Sequence, residues 1–209
     1  MRQGRCTDQR EEEEIEAIGG AEAATYGEVT PLGLRAMASH LQLGAADTFC
    51  DLGSGLGRAV IQAAAEFGVR RSVGVEMAQS RHELAMALHA EVEPSISERV
   101  HLVRGDCASE EVWREHLPET TVVYASNLLF DATLNARLAE RVSSCASVRA
   151  VASLKPFEPP PAGFRESAQI LVETSWRAPE EVQQAGSCEQ AGSLVYVYRR
   201  VAAGPASGS

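Results

Sequence analysis

The sequence predicts an α/β protein built on an open, doubly wound and mostly parallel sheet. Short apolar runs alternate along the chain with segments in which apolar residues recur every three or four positions, the pattern of successive βαβ units. One apolar run leads directly into the glycine-rich segment 49–58, which opens a helical pattern. Together these observations favour a Rossmann-like arrangement.

The predicted elements follow from these patterns. The strands are the apolar runs Thr48–Leu52, Ser72–Glu76, Val100–Val103, Thr121–Ala125, Val148–Ser153, Leu171–Thr174 and Leu194–Arg199. The helices carry the three- and four-residue periodicity and are Leu32–Leu41, Arg58–Phe67, Gln79–Glu93, Glu110–His116 and Ala132–Ser143. Three consecutive prolines, 159–161, predict an extended loop.

The length and composition indicate one domain. The 209 residues, 44% of them hydrophobic, suit a single compact core. We predict this domain over residues 25–201, with a disordered tail at 202–209. Residues 1–24 are predicted to be a flexible acidic lead-in, either frayed or a short helix. We expect a monomer.

Charge and cysteine usage exclude several classes of protein. The net charge of −10 argues against strong intrinsic DNA binding, which needs clustered basic residues. The five cysteines are scattered without a CxxC pair, so they are interpreted as reduced intracellular thiols and no metal site is predicted. No apolar run is suited to a secretory signal or long enough for a membrane span, so we expect neither secretion nor membrane insertion.

The glycine-rich segment, FCDLGSGLGR, suggests a site for a nucleoside-bearing cofactor. Glycines let the backbone approach a ligand closely, although such a turn can also be purely structural. A dinucleotide fingerprint is GxGxxG, whereas here the sixth position is arginine and the spacing is GxGxG. That spacing resembles class I S-adenosylmethionine-dependent methyltransferases. The expected cofactor contacts are Asp51, Gly53, Ser54, Gly55, Gly57 and Arg58.

Two more acids stand at the ends of the next predicted strands. Glu76 can accept hydrogen bonds from both ribose hydroxyls, although it can also be a solvated strand-end acid. Asp106 can accept from the adenine amino group while the backbone N–H of Cys107 meets the ring, or it can be a helix N-cap. Because ligands of open α/β sheets bind at this edge, the combination favours the cofactor interpretation.

The fourth predicted strand ends in Ser126 and Asn127, which can offer hydrogen bonds to a substrate nitrogen. Base-amine methyltransferases usually carry Asn or Asp, two prolines and an aromatic residue here. This chain has no proline at that place, so base methylation is disfavoured. Phe130 is interpreted as a core residue, and so are Trp113 and Trp176.

The combined motifs resemble the disruptor-of-telomeric-silencing (Dot1-like) family of non-SET histone lysine methyltransferases. They occur in family order over most of the chain, as Tyr26-Gly27-Glu28, Asp51-Leu52-Gly53-Ser54-Gly55, Gly74-Val75-Glu76, Arg104-Gly105-Asp106, Ser109-Glu110-Glu111, Asn127 with Phe130, and Ser153-Leu154-Lys155-Pro156-Phe157.

The resemblance implies S-adenosylmethionine as cofactor and a lysine of the third core histone, free or in a nucleosome, as acceptor. It implies that Tyr26, Gly27 and Glu28 fold over the cofactor. It also implies a nuclear location, whereas without the resemblance we would expect a cytoplasmic one. The family carries two asparagines where this chain has Ser126 and Asn127. It usually has Gln at position 58, and it has a tryptophan near position 188 that this chain lacks.

The resemblance leaves the acceptor open. A lysine must lose its proton before attack, and we assign no dedicated base, because desolvation and the sulfonium charge favour the neutral amine. Ser126, Asn127 and Tyr196 are the residues expected to orient it. The alternatives are a methyltransferase of the same fold that acts on a non-histone protein or small metabolite, and a cofactor-binding module without turnover.

Overall fold

The computed structural model describes residues 7–176 and 192–201. Its strands are β1 (Thr48–Leu52), β2 (Arg71–Glu76), β3 (Val100–Arg104), β4 (Val122–Ala125), β5 (Ala150–Ser153), β6 (Phe164–Val172) and β7 (Ser193–Arg200). Its helices are α1 (Gln9–Gly19), α2 (Pro31–Leu41), α3 (Arg58–Glu66), α4 (Gln79–Ala90), α5 (Pro94–Ser97), α6 (Glu110–His116) and α7 (Ala132–Ser144). None of these described helices is long and apolar enough to cross a bilayer.

The strands form one sheet in the order β3-β2-β1-β4-β5-β7-β6. Strands β1 to β5 pair in parallel, and β7 runs antiparallel to both of its neighbours. The strand order reverses between β1 and β4, and in doubly wound sheets the crevice for ligands lies at that reversal, outside the carboxyl ends of the strands. The predicted α/β fold with a mostly parallel sheet is confirmed.

Strand β4 shows how helices cover both faces of the sheet. Val122 and Tyr124 pack in an apolar layer with α2 and α3, whereas Val123 and Ala125 pack with α6 and α7. Successive side chains of a strand point to opposite faces, so a strand covered on both sides contains only apolar residues. That is why the central strands were recognisable from the sequence.

Local capping sets the starts of the helices that border the crevice. The Thr30 side chain accepts the backbone N–H of Gly33, and Pro31 occupies the first position of α2. Helix α7 begins after Asp131, whose side chain accepts the N–H of Leu134 at 2.7 Å. Both caps place a helix start beside the carboxyl edge.

Two predicted elements are wrong in extent. Strand β6 begins at Phe164 and ends at Val172, earlier than the predicted Leu171–Thr174, while Thr174 forms an isolated bridge with Val29. Because β6 is an edge strand with exposed polar side chains, it has no continuous apolar signal. The predicted helix 79–93 ends at Ala90, since the residue before Pro94 avoids the helical conformation.

The acidic lead-in contains a defined helix. Of the two alternatives, a frayed segment or a short helix, the structure shows the helix. It is α1, and a reciprocal capping box between Asp8 and Glu11 stabilises its start. The Ile15 side chain is buried, and the carbonyl of Gly19 accepts the N–H of Asp131 at 2.7 Å. The described part of the lead-in therefore contains a helix that contacts the rest of the domain. The predicted tail at 202–209 lies outside the described residues.

Candidate active site

The glycine loop after β1 is shaped by backbone hydrogen bonds to β2 and by the aromatic ring of Tyr26. Gly53 and Ser54 both donate to the carbonyl of Val75, at 2.9 and 3.0 Å. Gly53 and Gly55 have φ of 83° and 54°, and a Cβ on Gly55 would lie 2.5 Å from the Tyr26 ring. Only glycine accepts this backbone beneath an aromatic ring. The loop is therefore built for close contact.

Gly57 has a different environment from the other two loop glycines. It starts α3 with φ of 73°, and a Cβ there would lie 3.1 Å from Leu102 of β3. It is not among the described residues that line the cavities below. Gly57 therefore contributes to the packing of α3 near β3, and its contact with the cofactor stays a prediction.

Glu76 closes β2 and is buried, with 6% of its surface exposed. One carboxylate oxygen accepts the N–H of Gly55 at 2.8 Å, and the other accepts the N–H of Ala78 at 2.9 Å. Each oxygen keeps a second lone pair for a further donor. Glu76 can therefore hold the loop and bind hydroxyl groups at the same time.

Asp106 follows β3 and is tied to two other elements. Its carboxylate accepts the N–H of Ala108 at 2.8 Å and the guanidinium of Arg137 on α7 at 2.7 Å. The next residue, Cys107, is buried, and burial raises the pKa of its thiol. Asp106 is not the N-cap of α6, since Ser109 occupies that position; its carboxylate caps the preceding turn, and the residue lines the cavity.

The segment Tyr26-Gly27-Glu28 lies over the glycine loop. Tyr26 donates to the carboxylate of Glu28, and Arg58 donates to the same group at 2.9 Å. Burial, together with Glu28, raises the pKa of the Tyr26 phenol. The guanidinium of Arg81 lies over the face of the ring, 5.2 Å from the ring centroid. Tyr26 therefore contacts an acid through its hydroxyl and a cation through its ring face.

A second segment is joined to this loop. The N–H of Ser175 donates to the carbonyl of Glu28 at 2.8 Å, and the Ser175 hydroxyl accepts the N–H of Glu28 at 2.9 Å. A Cβ on Gly27 would lie 2.3 Å from the Trp176 ring. These contacts make the two segments one wall of the site.

Two adjoining cavities lie at the carboxyl edge of the sheet, and the larger has a volume of about 360 Å³. Residues from the ends of four neighbouring strands line it, namely Gly53, Gly55, Glu76, Asp106, Cys107 and Ser126. An apolar side completes it, formed by Ile15, Ile18, Leu129, Phe130, Leu134 and Trp176. Cavities of roughly 300 to 1,000 Å³ that combine an apolar wall with convergent polar groups are typical of small-molecule sites.

The smaller cavity, of about 20 Å³, adjoins it across Tyr26, Gly55 and Ser126. Asp51 lines it, with 4% of its surface exposed, and its Oδ1 has no hydrogen-bond partner among the described residues. Burial, with the carboxylates of Glu76 and Glu28, raises the pKa of Asp51 to about 8. This end of the site favours a cation or a hydrogen-bond donor.

The three residues expected to orient the acceptor differ in their surroundings. Ser126 lines both cavities. Asn127 is fully buried, and its amide is bonded to Asn135 and to the backbone of Lys155. Tyr196 is half-buried on β7, in register with Ser153. Neither Asn127 nor Tyr196 is among the described residues that line the two cavities, so their role in orienting the acceptor stays a prediction.

The sequence analysis missed several residues of the cavity. Ile15 and Ile18 of α1 line it, and their three-residue spacing was the available signal. Arg81, Phe130 and Trp176 also line it, although the core interpretation was favoured for the last two. Trp113 is buried in the core as predicted.

Comparison with solved structures identifies the fold. A Salinibacter ruber RNA methyltransferase in complex with S-adenosyl-L-homocysteine matches with a TM-score of 0.55 and 20% identity, over 83% of this chain and 93% of that one. A Geobacter sulfurreducens SAM-dependent methyltransferase in complex with the same molecule matches with a TM-score of 0.57 and 15% identity, over 94% of this chain and 100% of that one. The fold is that of class I S-adenosylmethionine-dependent methyltransferases.

The family follows from the sequence. The model of the family described as "Histone methylation protein DOT1" matches residues 12–179. The chain therefore belongs to the DOT1 family, which confirms the resemblance found in the motifs.

Two relatives are described as "Histone-lysine N-methyltransferase, H3 lysine-79 specific". The Kluyveromyces lactis protein is 32% identical over 145 residues, 65% of this chain and 25% of that protein. The Drosophila melanogaster protein is 29% identical over 140 residues, 64% of this chain and 8% of that protein. The match thus spans a quarter or less of the length of these relatives.

Proposed function

We propose that this chain is an S-adenosylmethionine-dependent protein-lysine N-methyltransferase. The observation that carries the proposal is the larger cavity, in which Gly55, Glu76, Asp106 and Ser126 converge from the ends of four strands. Membership of the DOT1 family supports the same reaction.

The cavity residues fit the proposed cofactor group by group. Glu76 has lone pairs free for ribose hydroxyls, and Asp106 stands where it can accept from an adenine amino group. The apolar side, which includes Phe130 and Leu134, suits an aromatic base. The bare backbone of Gly53 and Gly55 leaves room for a ligand along the loop.

The smaller cavity fits the charge of the methionine end. The cofactor carries an α-ammonium and a sulfonium, and Asp51 and Glu28 lie at this end of the site. The unpartnered Oδ1 of Asp51 would gain a donor from an ammonium group. A bound cation would also lower the pKa of Asp51 from its raised value, which couples cofactor binding to proton release.

Methyl transfer needs an acceptor amine in line with the methyl group and the sulfur, with no water between them. Ser126 lines both cavities, so its hydroxyl is our choice for orienting the amine. The same acidic end favours entry of a lysine, whose proton must leave before attack, since its reference pKa is about 10.4. We assign no dedicated base.

The proposed acceptor is a lysine of the third core histone, because the described activity of the relatives is specific for lysine 79 of that protein. A nuclear location and a role in chromatin belong to the same proposal. With a net charge of −10, the chain is expected to bind DNA weakly by itself. We propose that it acts as a monomer.

The test is labelled methyl transfer to nucleosomes, free histones and whole-cell lysate in parallel. Labelling of the third histone, lost in Glu76→Gln and retained in the matched surface variant Glu140→Gln, is the expected result. Labelling of lysate proteins alone would replace the histone assignment with a different acceptor. Cofactor binding without transfer to any acceptor would support a non-catalytic module instead.

A further inference from the structure

The loop between β4 and α7, residues 126–131, forms the acceptor side of the larger cavity. Ser126, Leu128, Leu129 and Phe130 all line that cavity. The loop has no regular secondary structure, so other groups must fix its conformation. Two buried asparagines supply them.

Asn127 ties this loop to the segment after β5. Its Oδ1 accepts the N–H of Lys155 at 2.9 Å, and its Nδ2 donates to the carbonyl of the same residue at 3.1 Å. The Ser153 hydroxyl also donates to that carbonyl, at 2.9 Å. The backbone of Lys155 is thus hydrogen-bonded to Asn127 through both its N–H and its carbonyl.

Asn135, on α7, holds the other end of the loop. Its Oδ1 accepts the second N–H of Asn127 at 2.6 Å. Its Nδ2 donates to the carbonyls of Phe130 and Asp131, at 2.9 and 2.8 Å. An asparagine amide has two N–H donors and one oxygen acceptor, and Asn135 uses all of them here.

Both side chains are almost fully buried, with Asn127 0% and Asn135 8% exposed. Neither asparagine is among the described residues that line the two cavities. Buried amides with every group satisfied hold the surrounding backbone in one arrangement, since any displacement leaves a polar group unpaired. Their effect on a bound molecule therefore passes through the loop.

We propose that Asn135 is a positioning residue for methyl transfer, which acts through Asn127 to fix Ser126 and Phe130 opposite the cofactor. The proposal rests on the proposed function. In-line transfer is sensitive to small displacements, so the loss of this clamp lowers turnover. Glu76 and the glycine loop, on the other side of the cavity, keep the affinity for the cofactor.

The test compares Asn135→Asp and the milder Asn135→Ser with Ala136→Asp, which adds the same charge at the neighbouring exposed position. A carboxylate cannot donate to the two carbonyls. We expect kcat of Asn135→Asp to fall by about 10²-fold, because of the misplaced loop. The dissociation constant of S-adenosyl-L-homocysteine should change by less than about tenfold, equivalent to about 1.4 kcal/mol.

A pH series separates positioning from general destabilisation. A protonated aspartic acid at position 135 regains one donor, so the ratio of variant to wild-type kcat should rise as the pH is lowered from about 8 to about 6. A purely structural defect gives a recovery that follows the folded fraction measured by urea unfolding at each pH, whereas a positioning role raises kcat of the folded enzyme.

If the wild-type protein is active, two results would overturn this inference and leave the proposed function intact. They are an unchanged kcat in both Asn135 variants, or a cofactor affinity that falls in parallel with kcat. A wild type without transfer to any acceptor overturns the proposed function, and the inference with it.

Discussion

One carboxylate oxygen of Glu76 accepts the backbone N–H of Gly55 at 2.8 Å. The end of β2 therefore fixes the loop that follows β1, and the proposed ribose-binding group also shapes the proposed methionine-binding loop. Changes at Glu76 should affect binding and stability together.

We predict that Glu76→Gln weakens binding of S-adenosyl-L-homocysteine at least about tenfold, or about 1.4 kcal/mol. The glutamine amide brings a donor to a place where Gly55 or Ala78 already donates, so one buried N–H loses its acceptor, at a cost of roughly 1–3 kcal/mol of stability. Isothermal titration calorimetry and urea unfolding measure the two effects. Glu140→Gln, at an exposed position of α7, is the control. Unaltered affinity in Glu76→Gln would contradict the assignment.

Asp51→Asn should stabilise the ligand-free protein, and increasingly so with rising pH. The pKa of Asp51 is raised to about 8, so between about pH 4 and about pH 8 the folded protein binds more protons than the unfolded chain. Wild-type stability therefore falls as the pH rises through that window, and the asparagine variant lacks this loss. In urea unfolding, the difference in free energy of unfolding between variant and wild type should grow by roughly 2–4 kcal/mol from about pH 5 to about pH 8. An equal difference at both pH values would show that Asp51 does not titrate there.

Asp47→Asn should have the opposite pH dependence. Burial acts to raise the pKa of Asp47, but hydrogen bonds from Arg149 and Thr121 outweigh it and hold the pKa below its usual range. Its contribution is thus present at neutral pH and is lost as the pH falls below about 4. The variant should lose about 1–3 kcal/mol at neutral pH and less near pH 3. Asp47 precedes β1, at the opposite edge from the site, so cofactor affinity should be retained.

Gly27→Ala should displace Trp176, since the added methyl would lie 2.3 Å from its ring. Because the ring lines the larger cavity, cofactor affinity should fall by about tenfold or more. Trp176→Ala alone removes part of the same wall. In the double variant the clash is absent, so the two effects should be less than additive in calorimetric titrations. Strict additivity would mean that the two residues do not act through one contact.

Much of the fold could be predicted from the sequence because the central strands are covered on both faces. A strand such as β4, with Val122 to Ala125 all buried, contains only apolar residues and is recognisable by itself. Strand β6 could not be placed correctly, because an edge strand with exposed polar side chains is held by its backbone pairing with β7.

The sequence by itself determined the doubly wound sheet, the family, and the convergence of Glu76, Asp106 and Ser126, because residues that end neighbouring parallel strands must meet at one edge. The tertiary structure alone decided which side chains reach the cavity. Asn127 and Gly57 are close in sequence to residues that line the cavity, yet Asn127 is hydrogen-bonded to α7 and Gly57 packs close to β3. Ile15 and Trp176 are far in sequence from the strand ends, yet they line the cavity. The physical reason is that the local pattern reports which face of an element is buried, whereas contacts between elements depend on how loops and helices pack across the sheet edge.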